Sequence, residues 1–144
     1  MTLRPATNAD TPALLGLRAA LWPDETENAL AEDIPGLLTR PDASVFVAET
    51  EGRLAGFAEA TIRAYSDGCG RGPVAHLEGW YVERAYRRQG VGRALVATVE
   101  AWGRVQGCTE IGSDAHVRNH TSRRAHRALG FTETEVLVHF CKPL

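Results

Sequence analysis

The chain has 144 residues, one domain's worth, and its 44% apolar and 24% charged residues exclude a disordered, collagen-like or coiled-coil polypeptide. Sixteen basic and 18 acidic residues leave a net charge of −2, too balanced for a nucleic-acid binder. No apolar run approaches the roughly 18 residues of a membrane span, and the N-terminus, MTLRPATNAD, lacks a secretory h-region, so no membrane partner and a cytoplasmic location are expected; Cys69, Cys108 and Cys141 form no CxxC, leaving an apolar core to hold the fold.

Thr2–Pro5 reads as a short extended start. Thr11-Pro12 opens a helix, because proline is tolerated in the first turn, and Leu14, Leu17 and Leu21 carry its apolar stripe to Trp22, where Pro23 interrupts. Glu27 to Leu38 continues as a helix broken by Pro35-Gly36. Ser44–Thr50 alternates as a strand, Glu51-Gly52 is a turn, and Arg53–Arg63 returns as the hairpin partner. After the Gly/Pro-rich loop Ser66–Pro73 comes a third long strand, Val74–Glu83, with Gly79 in its middle, the sign of a bulge or a close approach. Gly90–Gly107 is the most regular helix, with Val91, Leu95, Val99 and Trp102 on one stripe. Thr109–Ser113 predicts a short strand, Asn119–Leu129 a helix closed by Gly130, and Val136–Cys141 a last strand. The chain is thus mixed α/β, and 1–144 is expected to be a single domain.

Residues 1–60 hold four arginines against ten acids, a net of −6, whereas residues 61–144 carry a net of +4. Arg84, Arg87, Arg88 and Arg93 crowd ten residues with no acid among them. Two readings stand: an ordinary charged surface, or a cationic partner met by the first half and an anionic one by the second. The segment Arg87-Arg88-Gln89-Gly90-Val91-Gly92 precedes the best helix. Two glycines one residue apart let backbone N–H groups face outward at a helix N-terminus, a geometry that binds phosphate. It lacks the third glycine of a Rossmann fingerprint and the GK[ST] of a Walker A loop. On its own it is equally a glycine turn at a helix start.

Arg87-x-x-Gly90-x-Gly92 after a long strand, followed by Asn119 to Gly130-Phe131, resembles the GCN5-related N-acetyltransferase (GNAT) superfamily. The resemblance implies a mixed central sheet with a splayed, bulged strand and flanking helices. It also implies acetyl-CoA as co-substrate: Arg87, Arg88, Gln89, Gly90, Val91, Gly92 and Arg93 at the pyrophosphate, and Trp80, Tyr81, Val82 and Asn119 along the pantetheine arm. Asn119 also fits a helix N-cap. A narrower set is similar to the aminoglycoside 6′-N-acetyltransferases. It comprises Leu21-Trp22-Pro23, Gly56-Phe57-Ala58 with Ile62-Arg63, Gly68-Cys69, Leu77-Glu78-Gly79, Trp102-Gly103 with Gly107-Cys108, Ser113-Asp114 and Ala128-Leu129-Gly130-Phe131. By that resemblance Trp22, Glu25, Tyr65, Glu78, Asp114 and Glu135 hold the aminoglycoside, resistance is the outcome, and the active species is a homodimer.

The chemistry agrees. A polycationic sugar calls for carboxylates and flat aromatic faces. An alkyl amine titrates near ~10, so freeing its lone pair at pH 7 costs about 4 kcal/mol. Glu78 or Asp114, directly or through a water, is the candidate to take that proton, and the Val82 N–H to meet the oxyanion. Many GNAT members carry a tyrosine four residues before the Gly-Phe pair; here His126 stands there, as the acid for the leaving thiolate or as a structural residue. Asp114, His116 and His120 lack a third histidine or an HExxH motif, so no metal is expected. Acetylation of another polyamine, amino sugar or peptide amine is the alternative enzyme, and an acyl-CoA-binding sensor the non-catalytic one.

Overall fold

A computed structural model describes all residues, 1–144. Five strands, β1 (Thr2–Pro5), β2 (Ala43–Thr50), β3 (Arg53–Arg63), β4 (Val74–Val82) and β5 (Ile111–Ser113), lie in that order in one sheet. The first four are antiparallel, and β5 runs parallel to β4. One face carries α1 (Thr11–Leu21), α2 (Glu27–Glu32) and α3 (Ile34–Thr39); the other carries α4 (Val91–Val105), while α5 (His120–Ala128) follows β5. No helix is long and apolar enough to cross a membrane.

The period-2 alternation of the strands divides the core between the faces. Val45, Val47 and Phe57 turn toward α1 and α3, meeting Leu14, Leu17, Ile34 and Leu37, while Phe46, Ala58, Ala60 and Leu77 turn toward α4 and meet Leu95, Val96 and Val99. Each buried valine or leucine of α4 is worth roughly 1.5–3 kcal/mol. That outweighs the ~1 kcal/mol that the interior glycine Gly103 costs the helix.

The predicted helix over 27–38 is two short helices meeting at Asp33, because Pro35 falls in the first turn of α3 and starts it anew. The predicted strand Val136–Cys141 does not form: no strand follows α5. Its alternating apolar residues are in solvent, with Val136 72%, Val138 76% and Phe140 93% exposed. A strand needs a neighbour to satisfy its backbone, and this copy of the chain offers it none.

Candidate active site

The centre of the site is an irregularity in β4. Ala60 pairs with Leu77 and Glu59 with Gly79, so Glu78 is an extra residue opposite none. The bulge bends the strand and re-aims its side chains. On the other edge, β4 pairs with β5 only over Ala75–Leu77, and its last five residues, Glu78–Val82, have no strand beside them. Glu83 N–H bonds the Ala55 carbonyl of β3 at 2.8 Å. By alternation the Val82 N–H faces the open edge.

A cavity of about 460 Å³ lies on the α1 face, lined among others by Trp22, Glu25, Asp33, Glu59, Thr61 and Glu78. Trp22 caps α1, its ring edge-on to Phe57 and 5.2 Å from the Arg18 guanidinium. Arg18, buried, bonds Asp33 at 2.8 and 3.1 Å, the Leu30 carbonyl, and Glu59 at 3.2 Å. Glu59 is 3% exposed and its second oxygen has no partner. Burial pushes its pKa up to about 6 against the pull of Arg18. Glu78 behaves oppositely. Burial opposes its ionisation, but Arg63 grips both oxygens at 2.9 and 2.8 Å and Thr61 donates at 2.6 Å, holding it below the usual carboxylate range.

Asp114 follows β5 with its side chain 84% exposed, and His76 Nε2 lies 3.4 Å from its Oδ2. The neighbouring His76 lowers its pKa. Of the other sequence candidates, Tyr65 is 68% exposed and Glu135 is also in solvent; neither lines the cavity. Trp22, Glu25 and Glu78 are brought together in the cavity wall; Asp114 is not part of that lining and stands beside His76 at the end of β5.

On the opposite face the Gly90-Val91-Gly92 turn meets the free stretch of β4. Gly90 caps α4 with φ 83°, a conformation that favours glycine. A β-carbon on Gly92 would stand 3.0 Å from the Trp80 ring, whose buried Nε1 has no partner. Arg87 donates to the Val82 carbonyl at 2.8 Å and lies over Tyr81, Arg93 bonds the Ala128 carbonyl, and Arg88 and Gln89 are exposed in the turn. Asn119 accepts the Ser122 N–H at 3.1 Å, the N-cap of α5. His126 packs edge-on against Trp80 and Phe131. Its Nδ1 lies 2.8 Å from the Ser122 carbonyl, which can only accept, and Nε2 lies 2.8 Å from Ser113 Oγ. An open strand edge, a glycine turn at a helix start, surrounding arginines and an unpaired indole N–H fit a phosphate-bearing acyl-thioester ligand.

Arg18, Glu59, Ser66 and His76 carry no motif that marks them in the sequence. All four are buried. Polar residues amid apolar neighbours were the available signal, since each must find a partner.

Residues 8–131 match the acetyltransferase (GNAT) family, and the chain belongs to that family. It is 44% identical over 146 residues to an aminoglycoside N(6′)-acetyltransferase type 1 of Klebsiella aerogenes, covering 99% of this chain and 96% of that protein. Among solved structures, AAC(6′)-Iy in complex with the bisubstrate analogue CoA-S-monomethyl-acetylneamine superposes with a TM-score of 0.93 at 36% identity, covering 99% of this chain and 98% of that one. The apo AAC(6′)-IG of Acinetobacter haemolyticus does so with a TM-score of 0.95 at 37% identity, covering 100% and 99%. Within the GNAT acetyltransferases, the chain stands in the aminoglycoside N(6′)-acetyltransferase branch.

Proposed function

We propose that this chain, acting as one domain, transfers the acetyl group of acetyl-CoA to the 6′-amine of aminoglycosides, directly and within a ternary complex. Acetylation removes a cationic hydrogen-bonding group, which confers resistance. The observation that carries the reading is the acid-lined, Trp22-walled cavity on one face of the bulged strand, with the glycine turn on the other. A polycationic sugar is matched by clustered carboxylates and an indole plane. The bisubstrate analogue in AAC(6′)-Iy joins the same two ligand chemistries in one molecule.

In this reading Trp22, Glu25 and Glu78 hold the sugar rings and ammonium groups, with Tyr65 and Glu135 at the outer rim. Asp114, the more exposed carboxylate, takes the amine's proton through water. Val82 N–H meets the developing oxyanion. Arg87, Arg88, Gln89 and Gly90 through Arg93 cradle the pyrophosphate, and Trp80, Tyr81 and Asn119 flank the pantetheine arm; His126, with both ring nitrogens engaged by Ser122 and Ser113, braces Trp80. Use of acetyl-CoA puts the enzyme in the cytoplasm. The exposed Val136, Leu137, Val138 and Phe140 support a homodimer in which each C-terminal arm finds its strand partner on the other copy; sedimentation should give a dimer, and removal of residues 136–144 a monomer.

The function is tested by thiol release from acetyl-CoA with kanamycin A and with an analogue bearing a 6′-hydroxyl. Turnover of the amine alone is expected. Turnover of both would refute the 6′ site. Turnover of neither, with acetyl-CoA still bound, would leave another amine or a sensor role.

A further inference from the structure

We infer that His76 is a positioning residue for acetyl transfer: from within β4 it holds the Asp114 carboxylate at the end of β5, and Ser66 fixes its imidazole in turn. The inference rests on Asp114 being the proton acceptor proposed above.

A histidine only 4% exposed is costly unless both ring nitrogens are used. Both are. Nδ1 lies 2.9 Å from Ser66 Oγ, itself 1% exposed, and Nε2 lies 3.4 Å from Asp114 Oδ2. A carboxylate only accepts, so Nε2 carries the proton and Nδ1 takes the Ser66 hydroxyl hydrogen. One tautomer is thereby selected, and Ser66 ties the 64–73 loop to it.

Asp114 needs such a partner. Its side chain is 84% exposed and follows a strand of only three residues, and His76 is the one side chain it pairs with. A free aspartate there would spread over its rotamers. The surroundings leave the network little room to shift. A β-carbon on Gly112 would collide with Ser66 Oγ and stand 3.1 Å from Cys69 Sγ and 3.3 Å from His76 Nδ1. The other charged or titratable groups facing the pair are Arg63 of β3, Glu78 of β4, Cys69 of the loop and His126 of α5.

The test is steady-state kinetics with kanamycin A and acetyl-CoA across pH, on wild type, Asp114→Asn, His76→Leu, His76→Gln, Ser66→Ala and the double variant His76→Leu/Asp114→Asn. His76→Leu is expected to lower kcat by about tenfold, leave KM for acetyl-CoA unchanged, and move the acidic limb of kcat/KM to higher pH. His76→Gln, which restores a donor, should recover part of the loss. Added to Asp114→Asn, His76→Leu should cost less than about twofold more. An acidic limb that stays in place, with losses that multiply in the double variant, would overturn the inference while leaving Asp114 its role. Wild-type kinetics for Asp114→Asn would overturn both. Should His76→Leu not fold, Ser66→Ala with a carbon-13 titration of the Asp114 carboxyl decides: an upward shift is expected, and an unchanged titration overturns the inference.

Discussion

The Trp22 ring occupies the space that a side chain on Gly79 would need: a β-carbon there would stand 2.7 Å from Trp22 Cη2 and 3.2 Å from Glu59 Cγ. The glycine beside the bulge thus sets how closely the cavity wall approaches β4. The indole is a rigid plate between Phe57 and Arg18, so a methyl group must displace it whole. Gly79→Ala should destabilise the fold by about 1–3 kcal/mol and reduce kcat/KM for aminoglycoside by at least about tenfold. KM for acetyl-CoA should hold, because Trp22 lies on the face away from the glycine turn. Thermal unfolding and two-substrate kinetics check both parts.

Glu78 is the bulge residue and is held by Arg63 and Thr61, so its charge is fixed in place before substrate arrives. Glu78→Gln keeps the shape but leaves the Arg63 guanidinium without its anion. A fall in kcat/KM for aminoglycoside of about 10–100-fold is expected, carried mainly by KM. With its pKa held low, Glu78 stays ionised to a lower pH than an ordinary carboxylate, and wild-type substrate binding should persist correspondingly further into acid.

The elements that sequence reading placed best are those whose burial pattern is local. The α4 stripe, the β2–β3 hairpin and the helix start at Thr11-Pro12 each write their period or turn chemistry into a few adjacent residues. Gly79 flagged the bulge, although the extra residue is Glu78, because which of two neighbours goes unpaired depends on the register of β3. Trp22, Glu25 and Glu78 were legible as a set through their resemblance to known acetyltransferases. The Arg18–Glu59 and Ser66–His76–Asp114 links are not, since directly paired members lie up to 41 residues apart and only the folded sheet joins them. Val136–Cys141 has the alternation of a strand, but alternation cannot supply the neighbouring backbone.

Glu59 should leave a signature in stability. Its folded pKa is about 6 against an ordinary 4.5, so as pH rises past 4.5 the unfolded chain ionises first. Folding stability should fall by up to about 2 kcal/mol between those values and level off above pH 6. Glu59→Gln should flatten that stretch in urea unfolding; an unchanged slope would remove Glu59 as its source.

Asp10 has the reverse sign. Arg4 bonds both its oxygens at 2.7 and 2.8 Å and the Thr7 N–H adds a third bond, lowering its pKa from 3.8 to about 2. Its stabilisation is complete above pH 3.8 and lost as pH falls through 2. Asp10→Asn should cost at most about 2 kcal/mol at pH 7, with the gap to wild type closing in acid. Denaturant titrations at pH 7 and pH 2.5 measure it.

Which nitrogen is acetylated is read directly by NMR of the product formed from kanamycin A and acetyl-CoA. A single acetamide on the 6′-nitrogen is predicted, and it should vanish with Glu78→Gln and Asp114→Asn together. Acetylation at any other amine, or a 6′ product formed equally well by that double variant, would rule out 6′-acetylation through these two carboxylates.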